Sequence, residues 1–388
     1  MTKEIDHGAI AEYLTLGYTL DWKTFWKGKN FTPKNINFPK LTIGSDVTIV
    51  DVKQALDEYF LNFDGKKVAV LLSGGKDSRI IAEMCCSLGL DTTAITFGYK
   101  KDSREYMIAD KVCSMLDIPH LFFRLNPNIY SLDNLSESTL YCESDPAISP
   151  DPHYYYYRDI LSKFDSVFSG ETMTFPPREE RFYQPKDKIE RLLRTTSFDY
   201  IVKQDMREKI RQQFISMNYN KTQNEIFLQQ IKNFRFKKFD VAKELFNIEV
   251  PSIDEDVLNT MWSLPETGII KKVMKKYNFK TYNLPCTRSP FPLWFPWVIH
   301  YGYRYLKNFV NPIDAAMRSN MGMGWWSDYW NIYCKLIKDL ATKLNLSDSL
   351  DFEFIDKNVV NQKLSAANKR QDYATSLEKL IKLKIWMR

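Results

Sequence analysis

The sequence predicts an α/β protein: a parallel sheet with helices on both faces, followed by a mostly helical C-terminal half. Three observations carry this. Short apolar runs ("VAVLLS", "TTAITFG", "HLFFRL", "DSVFSG") alternate with segments of helical period, the order expected of a parallel sheet covered on both sides. Beyond about Phe175, long charged segments of helical period take over and β-type alternation becomes scarce. Between the first apolar run and the helix after it stands "SGGKDS", the punctuation of a strand that feeds a ligand-binding turn.

Taken in order, residues from Met1 to about Asp51 are mixed, and "NFTPKNINFPK" reads as loop because of its prolines and asparagines. A helix is predicted through "DVKQALDEYFLNF", where Val52, Leu56, Tyr59 and Phe60 share a face. "DGKK" turns the chain into a strand beginning at Val68, and a helix is expected from Ser78 to Leu88. "TTAITFG" is the second strand, "SREYMIADKVCSML" a helix and "HLFFRL" the third strand. After a longer loop rich in Pro, Asp and Ser come a helix, "YYYYRDILSKF", and a fourth strand, "DSVFSG". Helices are expected in "DKIERLLRTTSFDYIVKQDMREKIRQQFI" and "ATSLEKLIKLKIWMR". The expected divisions are an N-terminal segment (1–51), a nucleotide-binding α/β core (52–175) and a helical part (176–388).

The 388 residues are 44% hydrophobic and 14% aromatic, enough for a packed core. A net charge of +6 suits an anionic substrate such as a nucleotide and does not by itself argue for nucleic acid. The six cysteines form no C-x-x-C pair, and with four histidines a structural zinc is not expected. Cys85 and Cys86 read as core. No apolar run approaches the roughly 20 residues a membrane helix needs. "MTKEIDHGAIAEYL" places acids where a secretory leader carries basic residues, so a cytoplasmic protein is expected.

In the loop, Gly74 and Gly75 permit close backbone approach, and the new helix offers unpaired N–H groups to an anion. Ser73 and Ser78 add donors and Lys76 adds charge. Asp77 would repel a bare polyphosphate, so a magnesium ion between its carboxylate and the phosphates is expected. The plainer alternative is a tight strand-to-helix turn that binds nothing.

"LLSGGKDSR" resembles the pyrophosphate-binding loop, S-G-G-x-D-S, of the ATP pyrophosphatase (PP-loop) superfamily, which cleaves ATP to AMP and pyrophosphate. That resemblance implies a Rossmann-like sheet of the adenine nucleotide alpha hydrolase type, with ATP and Mg²⁺ as cofactors. The wider chain resembles the synthetase domain of the asparagine synthetase family, which includes β-lactam synthetases and lasso-peptide cyclases. Its markers are "ITFGYKKDSREYMIADKVCSMLDIPH", "VFSGETMTF", "VPSIDEDVLNTMWSLP" and the closing "LEKLIKLKIWMR". "AIAEYLTLGYTLDWKTFWKG" resembles the end of the glutaminase domain that precedes the synthetase in that family, and the rest of that domain is expected to be absent.

The resemblance implies that Ser73, Gly74, Gly75, Asp77 and Ser78 form the pyrophosphate loop, with Lys76 among them. Leu72 and Phe97 match adenine-contacting positions, and Ser169 with Gly170 the pair flanking the nucleotide. Glu171 matches the catalytic glutamate, acting alone or through Tyr156 or another nearby tyrosine. Lys271 matches the catalytic lysine, with Lys272 its rival. The second acidic position is Thr174 here and the second glycine Thr172, which leaves Asp77 as the side chain for the metal. The implied activity is an AMP-forming carbon–nitrogen ligase. It would adenylate a small-molecule or peptide carboxylate, then pass the acyl group to ammonia or an amine, the ammonia coming free or from a separate glutaminase. "HYYYYRD" and "GMGWWSDYW" are either pocket lining or core. Two alternatives stand beside it: a PP-loop enzyme that adenylates a nucleobase carbonyl, in RNA or a nucleotide, and a degenerate ATP-binding protein without turnover.

Overall fold

The computed structural model describes residues 4–388 apart from 38, 143–150, 172, 174–200, 219–220, 222, 265–267, 287–288, 297, 301, 304–325, 347–351 and 368–370. Helices α1 (His7–Leu16) and α2 (Ile49–Leu61) precede strand β1 (Lys67–Leu71), which leads into α3 (Lys76–Ser87). There follow β2 (Asp91–Gly98), α4 (Arg104–Leu116), β3 (His120–Arg124), α5 (Leu132–Leu140), α6 (Pro152–Leu161) and β4 (Ser166–Ser169). The second half holds α7 (Gln204–Asn218), α8 (Gln223–Ile231), a π-helical turn (Lys232–Phe236), α9 (Lys237–Leu245) and β5 (Ile248–Glu249). It continues through α10 (Glu255–Ser263), α11 (Ile269–Lys276), β6 (Pro285–Cys286), β7 (Ser289–Pro292), α12 (Trp326–Lys343), α13 (Lys357–Ala366) and α14 (Gln371–Trp386).

Five strands form one sheet in the order β3-β2-β1-β4-β5, and every pairing is parallel. Side chains alternate across β1 as the period of two requires. Val68 and Val70 join a core beneath α2, α3, α10 and α11, while Ala69 and Leu71 face a second core with Tyr154, Phe239 and Phe246. Both faces are therefore covered, which is why the strands read as continuous apolar runs. The chain runs outward from β1 to β3 and then returns to the other side of β1 as β4. That reversal makes the β1/β4 carboxyl ends the topological switch point, where such sheets bind ligands.

A third core joins α1, α5, α7, α12, α13 and α14, burying Ile10 and Leu14 with Tyr333, Leu377 and Ile381. The sequence left α1 and α5 unread. Ser131 caps α5 by accepting from the Asn134 N–H at 3.2 Å, and Leu135 and Thr139 share its buried face, a short pattern within a polar stretch. The fifth strand is only two residues long, too short to show alternation. No helix among the described residues is long and apolar enough to cross a membrane. Cys85 is buried in the core and its thiol is pushed well above its ordinary value, whereas Cys86, expected as core, is only half-buried, with burial pushing its thiol up to about 11.

The "NFTPKNINFPK" loop is tied down by one carboxylate. Asp240, only 2% exposed on α9, accepts backbone N–H bonds from Lys34 at 3.0 Å, Asn35 at 2.7 Å and Ile36 at 2.8 Å. Charge-assisted bonds of this kind are the strong ones. Asp240→Ala is expected to lower the unfolding free energy by about 2 kcal/mol in urea titrations. A loss below about 0.5 kcal/mol, the range of an ordinary surface substitution, would show the anchor to be idle.

Candidate active site

The loop that follows β1 is braced from within. The Ser73 N–H donates to Ser78 Oγ at 3.0 Å, and the two hydroxyls lie 3.0 Å apart. Ser73 Oγ also accepts from the Gly75 N–H at 3.2 Å. Both serines thus spend hydrogen-bonding capacity on the shape of the loop. Gly75 stands at the N-cap of α3 without a side-chain cap, and a helix N-terminus leaves its first N–H groups without intrahelical partners. With the helix dipole, those groups favour an anion here. Lys76 Nζ lies 2.8 Å from Asp77 Oδ1, and both side chains are about 30% exposed.

The end of β4 presses against the same turn. A Cβ added to Gly170 would lie 2.7 Å from Ser78 N and 2.9 Å from Asp77 C and Ser78 Cα. Only glycine lets the two backbones approach this closely. Ser169 Oγ accepts from the Glu171 N–H at 3.3 Å, and the Ser252 hydroxyl donates to the Glu171 carbonyl at 3.1 Å. The Glu171 side chain lines a small depression shared with Asp151, Tyr154, Arg235 and Lys238. There its Oε2 lies 2.5 Å from Arg235 Nη1, and Lys238 pairs with Asp151 at 3.0 Å. Arg235 sits on the π-helical turn, an irregularity frequent at functional sites. The tyrosine beside Glu171 is Tyr154, whose phenol burial pushes well above its ordinary value. Tyr156 is 37% exposed and packs on Tyr157 instead.

Leu72 and Phe97 stand at neighbouring strand ends. Leu72 donates its N–H to the Ile95 carbonyl at 2.8 Å and accepts from the Thr96 hydroxyl at 2.8 Å. Phe97 packs against Phe123, His153, Tyr154 and Tyr157. On α11, Ile270, Val273 and Met274 are buried, which leaves Lys271 half-buried at the edge of that face and Lys272 exposed. Burial pushes the Lys271 ammonium below the usual lysine value, Cys286 pulls it back, and the like charge of Lys76 adds to the depression. Lys271 is thus within electrostatic reach of the loop. Loop residues 73–78, Ser169 and Gly170 come together, and Glu171 is joined to them through the backbone. Thr172, Thr174 and the "GMGW" that opens "GMGWWSDYW" lie outside the described residues, and the rest of that run begins α12.

Two site residues escaped the sequence reading. Arg79 directly follows the loop motif and is fully buried. Its signal was a charged residue on the face of α3 that helical phase assigns to the interior. Arg235 is 64 residues from its partner Glu171 and left no local signal.

Sheet order, switch point and loop describe a Rossmann-like parallel α/β domain with the S-G-G-x-D-S sequence at its switch point. Its particular likeness is to QueC: residues 67–150 match the family described as "Queuosine biosynthesis protein QueC". The chain is 35% identical over 94 residues to "7-cyano-7-deazaguanine synthase 2" of Colwellia psychrerythraea, covering 23% of this chain and 39% of that protein. It is 35% identical over 89 residues to "7-cyano-7-deazaguanine synthase" of Methanoregula boonei, covering 23% of this chain and 38% of that protein. The chain thus spans about two fifths of the length of these curated relatives. The crystal structure of a predicted subunit of tRNA methyltransferase from Methanocaldococcus jannaschii is 20% identical, covering 37% of this chain and 73% of that one. Its TM-score is 0.20, too low to bear on fold or function. The matched region holds β1 to β3 and the loop but ends before β4, and the wider resemblance to asparagine synthetases gains no support from these comparisons.

Proposed function

We propose that this protein is an ATP-dependent enzyme that adenylates an oxygen of a purine-like heterocyclic substrate and releases pyrophosphate. One observation carries the reading: the Ser73–Ser78 loop, sealed by Gly170, lies inside the stretch that matches QueC. The relatives named for a 7-deazaguanine product favour a nucleobase-like acceptor over an unrelated carboxylic acid.

In this reading the first N–H groups of α3, Lys76 and Lys271 receive the β- and γ-phosphates. Leu72 and Phe97 border the adenine. A substrate oxygen forms a bond to the α-phosphorus as the bond to the bridging β-phosphate oxygen breaks, and pyrophosphate leaves with that electron pair. Magnesium, when bound, neutralises phosphate charge. Among the described residues no cluster of three or more His, Cys, Asp or Glu side chains gathers, so Asp77 would hold the ion with phosphate and water oxygens completing its shell. Glu171 would accept the proton of an incoming ammonia or amine, and the Arg235 pair keeps its carboxylate in place beforehand. Nucleophile capture would expel AMP and leave a new carbon–nitrogen bond.

The test is ATP–pyrophosphate exchange with a panel of purines, 7-deazapurines, their carboxylated forms and simple carboxylic acids, with Asp77→Ala as the control. Exchange that requires a heterocycle and vanishes in the control supports the proposal. Exchange with simple acids alone would replace it with an amide ligase of ordinary carboxylates. ATP binding without exchange would leave a nucleotide-binding protein.

A further inference from the structure

Arg79 is among the largest fully buried side chains of the described residues, and among those residues it has no carboxylate in hydrogen-bonding contact. Its Nη2 donates to the Gly74 carbonyl at 2.9 Å and to the Pro285 carbonyl. Its Nη1 donates to the Leu284 and Thr281 carbonyls at 3.2 and 3.4 Å. The Nε–H has no acceptor among the described residues. Glu83, one turn further along α3, spends its Oε1 on the Thr281 N–H at 2.6 Å. Burial draws the guanidinium down only to about 10, so it keeps its charge at neutral pH. A buried cation whose acceptors are neutral carbonyls is costly to hold. Its first acceptor is the middle peptide of the phosphate loop, and its backbone belongs to the first turn of α3.

We propose that Arg79 is a positioning residue that fixes the Gly74 peptide and supplies a permanent buried positive charge beneath the polyphosphate site. The proposal rests on the loop holding the phosphates of ATP. Lys76 is partly exposed and paired with Asp77, so its charge is shared. The Arg79 charge cannot swing away, and in the protein interior its field is screened less than that of a surface lysine. Preorganised charge of this kind needs no rearrangement when pyrophosphate departs.

Calorimetry with ATP, inorganic pyrophosphate and adenosine tests the role in three proteins, with circular dichroism as the check on folding. Arg79→Gln is expected to weaken ATP and pyrophosphate by about 10- to 100-fold, the scale of losing a charged partner, while adenosine stays within about twofold. Arg79→Lys, which keeps the charge, is expected to recover most of that loss. Glu83→Gln keeps an acceptor for the Thr281 N–H but removes the nearest opposing charge, and is expected to tighten ATP and pyrophosphate a few-fold. Equal losses for ATP and adenosine in Arg79→Gln would reduce Arg79 to a structural brace and overturn the proposal. If Arg79→Gln does not fold, unchanged ATP affinity in Glu83→Gln overturns it. Wild-type protein that fails to bind ATP would sink the phosphate-loop reading itself. ATP binding without exchange would sink only the proposed reaction and leave this test standing.

Discussion

Gly170→Ala is expected to cut pyrophosphate release by about 100-fold or more, the scale on which an ångström of misplacement acts in an active site. The added methyl would lie 2.7–2.9 Å from three backbone atoms of Asp77 and Ser78. Backbone in a hydrogen-bonded helix start cannot rotate aside as a side chain does. Either the end of β4 or the first turn of α3 must shift, and both border the Ser73–Ser78 loop proposed to hold the phosphates. Gly75→Ala is the informative contrast, because its Cβ would meet the Ser73 hydroxyl at 3.1 Å, a side-chain atom, and its loss should be milder. Release rates measured beside thermal melts separate misplacement from unfolding. A Gly170→Ala protein with near-wild-type turnover would remove the strand end from the site.

Acid is expected to weaken the fold through His153. The ring is 6% exposed, set against Phe97 and Tyr154 at centroid distances of 5.0 and 4.3 Å. Burial pushes its imidazole from 6.5 down to about 4. Asp151 and Glu378 favour the charged form, whereas Lys238 and Lys382 oppose it. The folded value is the lower one, so between those limits the unfolded chain binds more protons. The stabilisation is complete above about pH 6.5 and is lost as pH falls toward 4. The full effect is about 3 kcal/mol at most. Other groups also titrate, so the decisive quantity is the difference between wild type and His153→Asn in urea unfolding from pH 7.5 to 4. The gap in stability between the two should narrow as pH falls. A constant gap would show that His153 does not sense pH.

The parts of the site legible in the sequence were those written locally. β1, the glycines, Asp77 and the start of α3 occupy a dozen consecutive residues, so their apolar run and punctuation declare the turn without tertiary information. Lys271 and Lys272 could not be separated from spacing alone. They differ in exposure because α11 packs on α2 and α3 with Ile270 and Met274 inward, leaving Lys271 half-buried and Lys272 exposed. Glu171 was legible as an acid at a strand end, but its engagement with Arg235 depends on a π-helical turn that no periodicity announces. The family reading had the same limit. The S-G-G-x-D-S loop is shared by several chemistries, so it points to a nucleotide, and an acceptor would be chosen by side chains drawn from distant segments.

The third core has a consequence in time. Helix α1 buries every residue from Ala9 to Leu16, packing against α7 and against α14, whose Leu377, Leu380 and Ile381 belong to the same cluster. At roughly 5–20 residues per second of synthesis, about 20–70 s separate the emergence of these two helices. Throughout that interval the part of α1 that packs on α14 lacks its cover while the sheet domain is already being made. A nascent chain arrested before α14 therefore carries α1 with part of its apolar face bare, a surface open to aggregation.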